Sequence, residues 1–290
     1  MKKDITALYC FVDDFVKISD KWINSSYLSN STRKPTRSPE MSHSEILTIV
    51  LLYHQSPCKN FKYFYMSYLQ LYKHDLNLSS YSRFAVLKAR VLSYLVLLLE
   101  WYCHLSKATG ISYIDSTSIA VCHPKRICRN KVFGNIAALG RTTKGWFFGL
   151  KLHLLINEIG EIQGLKLTKG NVDDRSPVPE LTKRITGLLF GDKGYLKQEL
   201  FLNLYNKGLK LVTGIKKNMK NKLMPLIEKI LLRKRSIIET VFSVLKGSYE
   251  NEHTRHRSIW NAFVHILSAL VAYCLKPTKP SINSNLLIQN

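Results

Sequence analysis

Three carboxylates in this 290-residue chain stand where a charge needs explaining. Asp115 lies inside "GISYIDSTSI", which otherwise reads as a buried strand, Asp192 closes the apolar run "LLFGD", and Glu239 falls within the helical pattern "RSIIETVFSVLK". An ionised carboxylate buried alone is costly, so a chain pairs it, shifts its pKa or places a cation on it. Carboxylates held at strand ends and on packed helices, once brought together, suit hard divalent cations: Mg²⁺ takes a few of them and completes its octahedron with water and substrate phosphate. Two such ions roughly 3.5–4 Å apart can activate an attacking oxygen and stabilise a leaving one in an in-line phosphoryl displacement.

The helix around Glu239 can be tested against its own geometry. With Arg235 set at zero and about 100° per residue, Lys246 falls near 20° and Glu239 near 40°, while Ile237, Ile238, Val241, Phe242, Val244 and Leu245 fall between about 180° and 340°. One face is core and the other presents Arg235, Glu239 and Lys246 together. Arg235 and Glu239, four apart, could also be a plain surface ion pair worth a few tenths of a kcal/mol. Against that stands the setting: residues 207–257 hold 13 basic and 4 acidic side chains, so Glu239 is a rare acid there.

Other chemistry-bearing residues have ordinary readings. Asp173 and Asp174 in "GNVDDRSP" read as caps before a proline-containing helix, with metal assistance as the alternative. Lys193 and Tyr195 in "GDKGY" either touch a phosphate or simply follow a glycine turn. Cys103, His104, Cys122, His123 and Cys128 lack paired CxxC spacing, so free thiols and packed or phosphate-facing histidines are expected rather than zinc. Arg255, His256 and Arg257 in "HTRHRS" read by themselves as a solvated basic turn.

The elements that must position these groups fall into two regions. In the first hundred residues apolar positions recur at three and four, predicting helices: one from Ile5 to about Trp22, then, after the polar link "SNSTRKPTRSPEMS", one opened by Ser42 and Glu45 at capping-box spacing. The basic, aromatic "KNFKYFYMSYLQLYK" and the turn-like "LNLSSYSRF" precede a helix to about His104. "SSYSRF" could set Ser79, Ser80, Tyr81, Ser82 and Arg83 on phosphates, as a helix-turn-helix does, or open a helical pack with a solvated basic face. From Gly110 the pattern changes. Strands at Ile111–Val121, "GWFFGLKLHLLI" and "EIQGLKLTKG" predict an antiparallel meander, followed by helix, strand "GLLFGD", helix, strand "LKLVTGI" and further helices.

Charge narrows the function classes. Lys and Arg number 43 against 20 Asp and Glu, a net +23, which points to a polyanion, nucleic acid first. Residues 1–105 carry 13 basic and 8 acidic side chains, leaving +18 for the rest. Six unpatterned cysteines and the lack of a signal peptide predict a reducing, cytoplasmic setting, and the expected nucleic-acid partner a nucleoid-associated one. The apolar runs Val91–Leu99 and Ala262–Leu275 are too short to span a bilayer.

Taken together, "YIDSTSI", "LLFGDKGY", "RSIIETVFSVLK" and "ENEHTRHRSIWNAFVHILSALVAYCLKPTKPS" resemble a bacterial insertion-sequence DDE transposase, most similar to insertion-sequence family 982. The resemblance implies an α/β, ribonuclease H-like catalytic core, a mixed five-stranded sheet flanked by helices, preceded by an all-helical N-terminal region. It divides the chain into a helical DNA-binding region at 1–105, a DDE catalytic domain at 106–276 and a tail at 277–290. It makes Asp115, Asp192 and Glu239 the catalytic, metal-binding triad for two Mg²⁺ ions, with Mn²⁺ able to substitute. Arg235, Lys246, Lys193, Arg255, Arg257 and Arg83 become DNA contacts. Related enzymes carry Tyr, Arg, Glu and Lys as a signature; Arg235, Glu239 and Lys246 match it, and Leu232 stands at the Tyr position. The implied activity is binding, cleaving and joining element ends to target DNA, in a homodimer or larger synaptic complex. The alternatives are a nuclease of the same fold without strand transfer and an inert DNA-binding relic.

Overall fold

The computed structural model of the chain describes residues 5–26, 39–72, 76–143, 145–214, 224–253 and 255–282. Most of the polar link (29–38) and the last eight residues of the expected tail lie outside them. In chain order the helices are α1 (Ile5–Ser26), α2 (His43–Gln55), α3 (Phe61–Tyr63, continued by π and 3₁₀ turns to Tyr72), α4 (Tyr81–Leu87) and α5 (Leu92–Leu105). After β1 (Ile111–Ala120), β2 (Ala138–Thr142), β3 (Gly145–Asn157) and β4 (Ile162–Lys169) come α6 (Val178–Leu181), β5 (Gly187–Gly191), α7 (Gln198–Tyr205), β6 (Leu209–Thr213), α8 (Leu226–Arg233), α9 (Ser236–Gly247) and α10 (Ile259–Cys274).

The described residues form two compact units, one from 1–99 with 249–251 and 257–275, the other from 100–248 with 252–256 and 276–290. The division differs from the expected boundary at 105, since residues 100–105 at the end of α5 fall in the second unit, and it differs again at the last helix. α10, expected inside a catalytic domain ending at 276, packs against α2 in the helical unit. The reason is its surface: from Ala262 to Cys274 all but Phe263 are buried, so it must be covered nearly all round. α2 is buried almost as completely, from Ile46 to His54, and the expected capping box at its start is present, with Ser42 and Glu45 satisfying each other's backbone N–H groups.

In the helical unit, His54 is wedged between the Tyr249 carbonyl, 2.6 Å from Nδ1, and Ser268 Oγ, 2.8 Å from Nε2. A carbonyl only accepts, so Nδ1 carries the proton. Burial pushes the His54 pKa down to about 4, and the same cause takes His153 of the other unit to about 4. The unfolded chain protonates these imidazoles near pH 6.5 and the folded chain does not. Stability is therefore retained above that value and falls as pH drops towards 4. Urea unfolding at about pH 5 is expected to show the helical unit weakened by roughly 2 kcal/mol relative to about pH 7. A His54→Gln variant should flatten that dependence in the helical unit.

The second unit is built on a six-stranded mixed sheet in the order β2-β3-β1-β5-β6, with β4 also paired to β3. β1 and β4 run antiparallel to β3, β5 runs parallel to β1, and β6 runs parallel to β5. Parallel neighbours need crossovers, which α6 and α7 supply. This is the meander-then-crossover, ribonuclease H-like core expected, with one strand more than five. β2 pairs with Gly145–Gly149 at the start of β3, whose remainder pairs with β4. Its sequence, "ALGRT", is too short and too weakly alternating to announce a strand, and β3 supplies its pairing partner.

Register sets the chemistry. Tyr113 lies opposite Phe190, so two residues further along these parallel strands Asp115 comes level with Asp192. Strand alternation sends Ile114 and Asp115 to opposite faces. Ile114 enters an apolar layer with Leu155, Val178, Leu189, Tyr195, Leu200 and Leu204. On the face of Tyr113 and Asp115, the Tyr113 hydroxyl donates to the Leu231 carbonyl of α8, and α9 packs on β1.

Candidate active site

Asp115 projects from the middle of β1 with its side chain 22 % exposed. Its Oδ1 accepts the Ser116 N–H at 2.8 Å, which leaves Oδ2 for Arg235 Nη1 at 3.1 Å. Burial raises the Asp115 pKa to about 6; the Ser116 N–H and Arg235 oppose the rise, and the charges of Asp192 and Glu239 add to it. Both other acids are thus electrostatic neighbours of Asp115.

Arg235 stands at the start of α9 and its guanidinium forks: Nη1 binds Asp115 and Nη2 binds Glu239 Oε1 at 2.9 Å. The expected helix face is present. Ile237, Ile238, Val241, Phe242 and Leu245 are buried, leaving Arg235, Glu239 and Lys246 on the other side. The surface ion-pair reading of Arg235 and Glu239 captured the contact and missed that the same guanidinium reaches 120 residues back to Asp115.

Asp192 follows β5 at an exposed turn and opens the 3₁₀ turn Lys193–Tyr195. Lys193 is exposed. Lys246 donates to the Ser118 carbonyl of β1 at 2.6 Å and pairs with Glu252 at 3.0 Å, while Glu252 also accepts the Ala120 N–H. Arg255 and Arg257 are exposed but fall in different units. Arg83, in the helical unit, is 3.6 Å from Glu40 and follows Ser80, which caps α4. Of the proposed DNA contacts, only Arg235 bonds directly to the acids, and Ser79 is buried.

A polar network behind Asp115 is invisible in the sequence. Ser116, on the opposite face of β1, donates to Asp174 Oδ1 at 2.9 Å, and Lys151 of β3 reaches the same oxygen at 3.0 Å. His153 Nε2 lies 2.8 Å from Thr168 Oγ1. Asp173, in contrast, holds a turn: it accepts the Arg175 N–H and pairs with the Arg175 guanidinium, which takes its pKa down to about 2. The expected helix-capping role belongs to neither, since Pro177 stands at the start of α6 without a side-chain cap. The only hint of the network was Lys151 and His153 at alternate positions of a strand, facing the "STS" of β1. Tyr195 adds a buried hydroxyl with no hydrogen-bond partner among the described residues, within the field of Asp115, Asp174 and Asp192.

The donor chemistry of Asp115, Asp192 and Glu239 fits a hard divalent cation, all oxygen and all anionic, and a guanidinium already bridges two of them. Among the described residues no three His, Cys, Asp or Glu side chains stand close enough together to hold a metal as they are. The six cysteines are free thiols.

A meander-then-crossover mixed sheet, with an acid in β1 level with one just after parallel β5 and an arginine joining the first to an acid on a packed helix, defines the class as an α/β core of ribonuclease H type. The chain belongs to the family described as "Transposase DDE domain", whose sequence profile matches residues 105–259, more than half of it. No curated protein matches the chain. Among solved structures, the "Mos1 transposase paired-end complex with left transposon end" is similar at 12% identity over 89% of this chain and 86% of that one, with a TM-score of 0.26. The Mos1 strand transfer complex is similar at 14% identity over 89% and 85%, with a TM-score of 0.24. TM-scores this low do not establish a shared arrangement of the whole chain. Among the described residues no helix is long and apolar enough to cross a membrane.

Proposed function

We propose that the protein is the transposase of an insertion sequence, of family 982 by its motifs, which binds the element's terminal inverted repeats, cuts at the ends and joins the 3′ ends to target DNA. The observation that supports this most is the convergence on one arginine of an acid from β1 and an acid from α9, with Asp192 level with the first. In this reading Asp115 and Asp192 would hold two Mg²⁺ ions, with Mn²⁺ as a substitute, and Glu239 would complete one of them. The bound ions supply activation of the attacking oxygen and stabilisation of the leaving one.

The chain's own residues set the stage for that chemistry. The Ser116 N–H fixes Oδ1 of Asp115 and so aims Oδ2 at the shared site. Lys246, bound to the β1 backbone and to Glu252, ties α9 to the strand that carries Asp115. Lys193 and Arg235 are phosphate contacts beside the acids, Arg255 is a DNA contact of the same unit, and Arg83 and Arg257 are DNA contacts of the helical unit. The helical unit contributes to DNA binding, and the sheet unit, with Asp115, Asp192 and Glu239, carries the catalysis. Two element ends must be handled together, which calls for a homodimer or a larger synaptic complex in the cytoplasm, on the nucleoid.

The test is joining. The protein is incubated with Mg²⁺, a linear duplex carrying the DNA that flanks its reading frame, and a supercoiled plasmid. The expected product contains the duplex 3′ end covalently in the plasmid. Strand cleavage with no joined product would make the protein a nuclease. Salt-sensitive DNA binding without any Mg²⁺-dependent product would make it an inert relic.

A further inference from the structure

We infer that Arg235 is the resident cation of the acid site, occupying between Asp115 and Glu239 the place a divalent ion takes, so that metal loading displaces its guanidinium. The inference rests on the proposed reading of these acids as a divalent-cation site. It explains two findings that otherwise conflict: the donor set suits a hard dication, yet the acids are not gathered as a ready ligand cluster.

The geometry carries the argument. Arg235 spends Nη1 on Asp115 Oδ2 and Nη2 on Glu239 Oε1, the oxygens an ion shared by β1 and α9 would need. Asp115 Oδ1 is committed to the Ser116 N–H, so Oδ2 cannot serve the guanidinium and a metal fully at once. Three like charges repel, and a planar fork with two parallel donors is well suited to hold two of them together while no metal is bound. Only 23 % of the Arg235 side chain is exposed, so its charge is set into the site rather than offered to solvent. Among the described residues Arg235 is the cation within ion-pair distance of Asp115 or Glu239; Lys246, on the same helix face, is engaged by Glu252 and the Ser118 carbonyl. Once displaced, the same guanidinium is free to meet a DNA phosphate, so its contact with DNA follows metal binding instead of preceding it.

Direct Mn²⁺ titration followed by electron paramagnetic resonance, together with thermal melts, tests this without recourse to activity. Arg235→Gln should bind Mn²⁺ roughly tenfold more tightly than the wild type, since the ion no longer competes with a charge in contact with its ligands. The variant should also melt earlier without metal and gain more from Mn²⁺ than the wild type does. Lys183→Gln, which removes an exposed positive charge elsewhere on the same unit, should leave Mn²⁺ affinity unchanged. Arg235→Lys keeps the charge but not the fork, and should bind Mn²⁺ more tightly than wild type by a smaller factor; it carries the test if Arg235→Gln does not fold. Arg235 variants that bind Mn²⁺ no more tightly than Lys183→Gln overturn the inference. Asp192→Asn separates this from the underlying reading: if it binds Mn²⁺ as the wild type does, or if the wild type binds none, the metal site itself is lost and not only the role of Arg235.

Discussion

Asp192→Asn is expected to lower divalent-ion-dependent strand cleavage by at least about a thousandfold, the several kcal/mol that an assembled metal contributes to phosphoryl transfer, while leaving the fold and DNA affinity in place. The structure separates these outcomes. Asp192 sits at an exposed turn after β5 and provides no side-chain cap to the turn that follows, so folding asks little of its charge. Asn keeps the shape and removes the anion. Asp173→Asn is the matched control: it changes another carboxylate of the same unit, engaged with Arg175 in a turn, and cleavage should stay near the wild-type rate. Glu239→Gln should fall with Asp192→Asn, because it loses only a partly exposed ion pair worth a few tenths of a kcal/mol in stability. Cleavage assays on a labelled duplex, paired with melting curves, decide it. Wild-type cleavage by Asp192→Asn would remove that residue from the mechanism.

What could be read from the sequence was what local periodicity encodes. The capping box at Ser42 and Glu45, the buried stripe of α9 and the three-strand meander each depend on residues a few positions apart, and each appears as expected. What could not be read depends on distant pairing. Arg235 meets an acid 120 residues away, and Asp174 meets Ser116 across 58 residues and Lys151 across 23, contacts that no local pattern records. α10 went to the helical unit for a related reason: an apolar stripe tells how much must be covered, not by which partner. Asp173 and Asp174 show the limit most sharply, since adjacent identical residues serve a turn and a cross-sheet network.

The sheet that holds Asp115 depends on one backbone approach, and Gly149→Ala should break it. Gly149 lies opposite Ala120 at the far end of the β1–β3 pairing from Ser112. A Cβ placed on it would stand 2.0 Å from the Ile119 carbonyl oxygen and 3.0 Å from the Ala120 Cα. Both obstacles are backbone, so no rotamer change relieves the overlap and β1 must move against β3. Overpacking of this kind costs on the order of 3 kcal/mol or more, and in a unit of this size that lowers the melting temperature by about 6–12 °C. Gly194→Ala, in the turn after Asp192, meets nothing within 4 Å and should melt as the wild type does. The displaced strand is the one that carries Asp115, and the Ser118 carbonyl and Ala120 N–H that hold Lys246 and Glu252 lie next to the overlap. Residual folded Gly149→Ala protein should therefore bind Mn²⁺ more weakly than the wild type even below its melting temperature. A melting temperature unchanged from wild type would show that β1 and β3 can separate at this point without cost, and that the acid on β1 is not held in place by this pairing.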